Sequence, residues 1–344
     1  MKRATPLIAA GLLAAWAAHA QVEAGGQVRV RVDDQTTGTN GSVEAELRGQ
    51  WRFVTAAATL GHGWREHAGD TDLSRVNELY AAGDAAGWSF AAGRRIVSWD
   101  VGYGFRPNDV VQQERRRTLL PVLLQGKPVL QAERFGADEA WSLVAVDPTS
   151  STKEHAFAAR AWRRVGSADW HAFARQGEDT KGSLGVAVSW VATDAAEVHA
   201  SVRWAHEVNG RRDVPQALLG FTWTGENKVS VIGEAWYDGG APSDADWADA
   251  RSVRALFAQA TTLQNVRRRS VFARVSWTHD GWEPSLDHLW LPSDRSHQTT
   301  AALGWVGDRV RVDVGLRRIG GPAGAVLAAS PVNHVGYAAA TWSF

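Results

Sequence analysis

The stretch Arg309-Val310-Arg311-Val312-Asp313-Val314-Gly315-Leu316-Arg317 alternates apolar and polar side chains without a break. Because successive side chains of a β-strand point to opposite faces, this pattern predicts a strand with one apolar face and one polar face. The segments 27–33, 43–49 and 197–207 repeat the alternation. Their apolar faces are rich in valine and alanine, which lipid chains can cover, whereas a close-packed soluble core favours larger side chains.

The breaks between such segments are regularly spaced. Short turns rich in Gly, Asp and Asn are predicted at 83–87, 136–138, 166–167, 193–195, 225–227, 279–281 and 307–308. Longer polar connections alternate with them at 34–41, 63–73, 97–127, 148–154, 176–182, 207–214, 238–267, 291–297 and 319–334. The count predicts an all-β fold, an antiparallel transmembrane β-barrel of about 18 strands. Sixteen strands is the alternative, if 48–58 forms one bent strand.

The composition narrows the possible functions. The 344 residues include no cysteine, which excludes disulfides, thiolate metal sites and a lipoprotein anchor. Lys plus Arg and Asp plus Glu both number 37, and this balance argues against a nucleic-acid partner. The 18 tryptophans favour membrane–water interfaces. Most fall near predicted strand ends and suggest two aromatic girdles, although Trp162 and Trp236 have the parity of the barrel interior.

The N-terminus has the three parts of a signal peptide. Lys2 and Arg3 are followed by an apolar run at 6–18 and by the small-residue motif Ala18-His19-Ala20. We therefore expect residues 1–20 to be cleaved after export through the general secretory route. Residues 21–344 would then form a single barrel domain, because every later apolar stretch is too short for a membrane-spanning helix.

The C-terminus carries a resemblance to a known family. In the final stretch 336–344, Trp342 and Phe344 share one face and Thr341 and Ser343 the other. A terminal Phe that closes an alternating strand resembles the assembly signal of Gram-negative outer-membrane porins, although Tyr337 has interior parity. The resemblance implies an outer-membrane location, contact with lipid, and recognition by the barrel-assembly machinery through the last strand. It also implies passive diffusion of ions or small hydrophilic solutes, with short turns on the periplasmic side and no cofactor.

Interior-facing charges are the candidate channel lining, because fixed charges in a pore set its ion preference. The arginine cluster slightly favours anions. The predicted lining residues are Arg29, Arg31, Asp33, Glu44, Glu46, Arg48, Arg203, Arg274, Arg309, Arg311, Asp313 and Arg317.

The connection 97–127 resembles the third external loop of general porins, which folds into the channel. Its stretch 107–117 is predicted to form a short helix. Asp100, Asp109 and Glu114 would face the wall arginines and form a transverse field. An external cap over the barrel mouth is the alternative. The candidate constriction residues are Asp100, Arg106, Asp109, Glu114, Arg115, Arg116 and Arg117.

Other interpretations remain open. The connection 238–267 has helical spacing within 244–264. Ser293 and Asp294 lie near His288 and His297, but no hydrolase or metal motif is present, so no enzyme is predicted. A structural or partner-binding barrel without transport is the main alternative to a channel. A monomer and a trimer are equally consistent with the sequence.

Overall fold

The computed structural model describes residues 22–114, 116–121, 124–146, 154–249 and 265–344. The predicted signal peptide and Arg115 lie outside these ranges. Within them, eighteen strands form one antiparallel sheet that closes on itself, because β1 pairs with both β2 and β18. The strands are β1 Val22–Gln35, β2 Gly38–Trp51, β3 Val54–Arg65, β4 Ala68–Ala85, β5 Trp88–Arg95, β6 Lys127–Phe135, β7 Glu139–Val146, β8 Ala156–Val165, β9 Ala168–Gly177, β10 Gly182–Thr193, β11 Ala196–Val208, β12 Arg211–Thr224, β13 Val229–Asp238, β14 Arg269–Trp277, β15 Trp282–Leu291, β16 Ser296–Val306, β17 Val310–Gly320 and β18 His334–Ser343. The predicted 18-stranded barrel is confirmed.

The first and last strands close the cylinder. β1 and β18 pair from Gln27↔Ser343 to Gln35↔Val335. Beyond the paired strands, Phe344 N–H donates to Gly26 O and Gly26 N–H donates to Phe344 O, both at 3.0 Å. A Cβ on Gly26 would lie 2.8 Å from the Phe344 ring, so only glycine fits there. Since every strand has two partners, the sheet has no open edge.

The two faces of the sheet differ in polarity. The alternating segments found in the sequence turn their apolar faces outward, as Leu316, Val202 and Val30 illustrate. Their polar partners turn inward, where Asp313 and Ser201 are buried. This arrangement fits a barrel surrounded by hydrocarbon, which can solvate apolar side chains but no backbone polar group.

Turn positions were predicted unevenly. The turns at 136–138 and 166–167 lie between strands as predicted. The predicted long connections at 34–41, 63–73 and 207–214 are wrong, because the strands run on and close in two-residue turns. Paired strands satisfy their own hydrogen bonds, so polar residues can extend them into water. Arg52, with φ of 52°, makes the tight turn between β2 and β3 and excludes the 16-stranded alternative.

Helix is scarce in the described parts of the chain. Among its described residues, the stretch 107–117 is not helical, so that prediction is wrong. In the connection 238–267, helix α1 spans Asp244–Ala248 and Ser243 caps it, while 250–264 lies outside the described residues. A 3-10 turn covers Leu327–Ala329. No helix in the described ranges is both long enough and apolar enough to cross a bilayer.

Candidate functional site

The connection between β5 and β6 packs against the inner wall of the barrel. We call residues 96–126 the lumenal segment; 115, 122 and 123 within it lie outside the described residues. Its Trp99 and Val110 belong to an apolar cluster with Phe173 of β9. Its Phe105, which has no exposed surface, packs in a second cluster with Trp236 of β13. These clusters place the segment against well-separated parts of the wall.

One wall carboxylate binds the backbone of the lumenal segment. Glu234 on β13 accepts the N–H of Tyr103 on Oε1 and the N–H of Gly104 on Oε2, each at 2.6 Å. The ring Nε2 of His199 lies 3.0 Å from the same Oε1. The Glu234 and His199 side chains are almost fully buried, and charge-assisted bonds of this kind are about twice as strong as neutral ones. A Cβ on Gly104 would lie 2.9 Å from the carboxylate, so glycine permits the contact.

A second contact joins the segment to β11. Asn108 Nδ2 donates to Ser201 Oγ at 2.8 Å, and Ser201 Oγ donates to Asp100 Oδ1 at 2.8 Å. Asp100 also accepts the Asn108 N–H at 2.6 Å. Burial raises the pKa of the Asp100 carboxyl, and these hydrogen bonds only partly oppose the effect. The three side chains therefore form a dry contact between the segment and the wall.

The predicted transverse field is wrong for two of its three carboxylates. Asp109 pairs with Arg106 of the same segment at 2.7 Å and accepts the Trp99 N–H. The Asp100 carboxylate accepts hydrogen bonds from Ser201 Oγ and from backbone N–H groups. A segment without regular structure must satisfy its own buried N–H groups, and nearby carboxylates do so. Glu114 differs, because it pairs with Arg116 at 3.0 Å and borders a cavity.

Three of the predicted wall arginines donate to backbone oxygens of the lumenal segment. Arg29 on β1 reaches Pro121 O at 2.8 Å. Arg203 on β11 reaches Pro107 O at 3.2 Å, and Arg317 on β17 reaches Arg117 O at 3.3 Å. The segment is thus held on the seam side by guanidinium groups on β1 and β17, which flank β18, and by a third guanidinium on the distant strand β11.

Most of the other predicted lining residues near β1 form ion pairs with one another. Arg31 binds Asp33 at 2.6 Å, and Arg48 pairs with Glu46. Glu44 borders a small cavity of about 140 Å³ together with Arg29 and Arg48. These charges line the interior next to the seam between β1 and β18.

Arg309 does not line the wall, which corrects its assignment. It lies in the turn that precedes β17, and its side chain is exposed. Alternation predicted its face, but the strand begins one residue later at Val310. Arg309 is therefore a rim residue.

A larger cavity lies between the lumenal segment and the inner faces of β14–β18; we call it the vestibule. Its volume is about 830 Å³. Its ion pairs are Arg274–Asp287 at 2.9 Å, Arg311–Glu283 at 2.8 Å, Arg311–Asp313 at 2.9 Å and Arg116–Glu114 at 3.0 Å. Thr118 and Tyr337 also line it.

Several functional residues of this interior were not predicted from the sequence. Glu283 and Asp287 could have been found, because their parity on β15 opposes that of the outward Leu286. Glu234 and Ser201 have interior parity too, but their role depends on contacts more than 90 residues away in the sequence. No local pattern signals such a contact.

Of the Ser, His and Asp residues near 288–297, His288 and Asp294 form hydrogen bonds with residues other than Ser293. His288 contacts Thr299 Oγ1 at 2.8 Å, and Asp294 accepts from Ser296 Oγ at 2.6 Å and from Val326 N–H at 2.8 Å. Burial disfavours the Asp294 carboxylate, but these bonds and Arg267 outweigh it and lower its pKa. Within the described ranges, no group of three or more His, Asp or Glu residues has a metal-binding arrangement.

Known structures share this architecture. No protein-family model and no curated protein sequence matches the chain. OccK5 (OpdH) of Pseudomonas aeruginosa is 11% identical with a TM-score of 0.67, over 94% of this chain and 98% of that one. OccAB2 of Acinetobacter baumannii is 10% identical with a TM-score of 0.60, over 94% and 98%. A mutant of the Rh. blastica porin is 10% identical with a TM-score of 0.50, over 94% and 100%. The chain therefore has a porin-like fold.

Proposed function

We propose that the chain is an outer-membrane channel through which ions or small hydrophilic solutes diffuse passively. The observation that carries the proposal is a closed 18-stranded barrel with an apolar exterior and an interior lined by charged side chains. Barrels of this width enclose an aqueous interior unless it is filled, and lining charges set what passes. The porin-like fold supports the same interpretation.

The lumenal segment is the proposed constriction of this channel. It is bound by Glu234 on β13 and by Arg203 on β11, while Arg29 and Arg317 contact it from the seam side. Solutes would pass through the space left between the segment and β14–β18, where the vestibule lies. The wall residues predicted as channel lining would then set the width as well as the charge of the passage.

The route to the membrane is also a proposal. Residues 1–20 would direct export and be removed, and the barrel would insert among outer-membrane lipids. The Trp342 and Phe344 rings pack at a tilt with centroids 5.0 Å apart at the closing seam, which suits a signal read by the barrel-assembly machinery. Exposed tryptophans such as Trp141 and Trp290 on opposite rims would lie at the lipid–water interfaces.

Planar-bilayer recording tests the channel proposal. The purified full-length mature chain, refolded in detergent and added to a lipid bilayer in potassium chloride, should give stable stepwise currents that rise linearly with voltage. The matched control is a variant without residues 106–120, which should give larger steps because the constriction is gone. A folded protein that conducts no current in either form would overturn the proposal and favour a structural barrel.

The enzymatic alternative has a separate readout. Incubation of the same preparation with phospholipid or peptide substrates should release no product, because Asp294 and His288 are bound to structural partners. Turnover that is lost in Ser293→Ala would instead establish a hydrolase.

A further inference from the structure

The vestibule wall carries its charge as partly exposed ion pairs. The Arg311 guanidinium lies 2.8 Å from Glu283 and 2.9 Å from Asp313. On the neighbouring strands, Arg274 lies 2.9 Å from Asp287. These side chains retain between about a tenth and two fifths of their exposure, so a solute in the cavity can reach them. The wall therefore offers cation and anion side by side.

A fourth pair lies on the side of the lumenal segment. Arg116 contacts Glu114 at 3.0 Å, and its guanidinium lies 6.0 Å from the centre of the Tyr103 ring. The Arg274 guanidinium lies 5.9 Å from the same ring. Tyr103 itself stacks on Phe272 of β14, with ring centroids 5.7 Å apart. One fixed aromatic ring thus contacts guanidinium groups from both the segment and the wall.

The segment also supplies an apolar surface. We call Leu119, Leu120, Pro121 and Leu124 the apolar ledge; all four border the vestibule. Leu120 is only 5% exposed because it packs with Tyr337 of β18, and this contact fixes the ledge against the wall. Leu119 and Leu124 are half-buried and Pro121 is exposed. The vestibule therefore combines ion pairs and an apolar surface in one cavity.

We propose that the vestibule binds small zwitterions that carry an apolar side group, such as a neutral amino acid with a branched aliphatic side chain. The inference rests on the channel proposed above and names its preferred solute class. A zwitterion that inserts into an ion pair gives each wall charge a new opposite charge, so no charge loses its partner. A singly charged ion satisfies one side and leaves the other unpaired, which is costly. The apolar side group covers the ledge and removes its surface from water.

Four matched probes test the solute class with the full-length mature protein in a planar bilayer. They are leucine, isoamylamine (leucine without its carboxylate), 4-methylpentanoate (leucine without its ammonium) and glycine. Each is added at neutral pH, and interruptions of the potassium chloride current report binding. Leucine should bind about two- to fivefold more tightly than each other probe, the ratio that corresponds to a partly exposed contact of roughly 0.4–1 kcal/mol.

The outcomes separate the two proposals. Equal binding of leucine and either charged analogue would overturn the zwitterion inference, and equal binding of glycine would remove the role of the ledge. In both cases an ordinary potassium chloride current leaves the channel function intact. Absence of any current would overturn the channel function and this inference with it.

Charge-neutral variants locate the site. The double variant R274Q/D287N removes one wall pair without changing net charge, so leucine affinity should fall about two- to fivefold. The matched control is R164Q/D169N, which removes the exposed pair beside the β8–β9 turn and should leave leucine binding unchanged. L119N should weaken leucine but not glycine. Unchanged leucine affinity in both vestibule variants, with normal conductance, would sink the inference.

Discussion

Glu234 Oε2 accepts the backbone N–H of Gly104 at 2.6 Å, although the two residues are 130 positions apart in the sequence. The same carboxylate accepts the Tyr103 N–H, so one wall side chain fixes the backbone at the turn of the lumenal segment. Since the bonds are made to backbone groups, they set the path of the segment and not only the direction of one side chain. The position of the proposed constriction depends on this contact.

The Glu234→Ala variant should loosen the lumenal segment. Two buried N–H groups lose their acceptor, and each unsatisfied group costs about 1–3 kcal/mol. We expect faster hydrogen exchange at 102–105 and noisier, larger single-channel currents. Glu197→Ala is the matched control, because Glu197 is a neighbouring inward carboxylate whose hydroxyl partner is Ser189. Equal exchange rates in the wild-type and Glu234→Ala proteins would contradict the role assigned to Glu234.

Ion selectivity should depend on the wall arginines that contact the segment. In R29Q/R317Q, two positive charges leave the narrow part of the interior. The cation-to-anion permeability ratio should rise about two- to fivefold, as expected when charge interactions of roughly 0.4–1 kcal/mol are lost. Reversal potentials in a salt gradient measure this ratio. Arg309→Gln removes one positive charge at the exposed rim and should change nothing; a shift of similar size there would refute the assignment.

Closure of the barrel should be sensitive to Gly26. A valine there would overlap the Phe344 ring and the Glu46 backbone oxygen, and such overpacking costs about 1–3 kcal/mol. The folded fraction, read as heat-modifiable migration on a gel, should fall in Gly26→Val. Gly49→Val is the control, because the nearest atom to its Cβ would be 3.8 Å away. If both variants fold equally well, the seam does not limit assembly.

The end of the barrel that carries the β9–β10 connection should loosen in acid. Burial disfavours the Glu154 carboxylate, but hydrogen bonds from Thr180 and the pair with Arg175 at 2.8 Å outweigh it and lower its pKa to about 2. A lowered pKa means that the carboxylate stabilises the folded form above the unfolded value of about 4.3, and that this contribution disappears as pH falls toward 2. Limited proteolysis near 178–181 should therefore accelerate between about pH 4 and pH 2.

Substitution of Glu154 checks the assignment. Glu154→Gln should be cleaved more readily at neutral pH and should show little further acceleration in acid. Glu178→Gln, an exposed neighbour, should behave like the wild type. An acid response that persists in Glu154→Gln would assign the effect to another group.

Much of the barrel was predictable because the alternation of its strands and the residues of its turns lie within short stretches of sequence. The alternation at 309–317 fixes which side chains face lipid, and the Gly-Ala-Asp turn at 136–138 fixes where β6 ends. The errors also have local causes. Polar residues at 63–73 suggested a loop, but there the strands β3 and β4 continue past the apolar band with their hydrogen bonds paired.

The interior was less predictable. The alternation of side chains predicted that Arg203 and Arg317 lie on the inner face. It did not predict their hydrogen bonds to Pro107 O and Arg117 O. The ion pair of Asp109 was not predicted for the same reason. Its partners depend on the path that an irregular segment takes in the folded protein. Such choices depend on three-dimensional proximity, which no periodicity encodes.

The bonds from Arg29, Arg203 and Arg317 end on backbone oxygens of the segment. An amide oxygen is present whatever residue occupies the position, so these bonds survive substitutions at 107, 117 and 121. Evolution or a designer can therefore exchange the side chains presented to the passing molecule without rebuilding the anchorage. The backbone bonds that anchor the segment can therefore stay constant while the side chains that face the solute diversify.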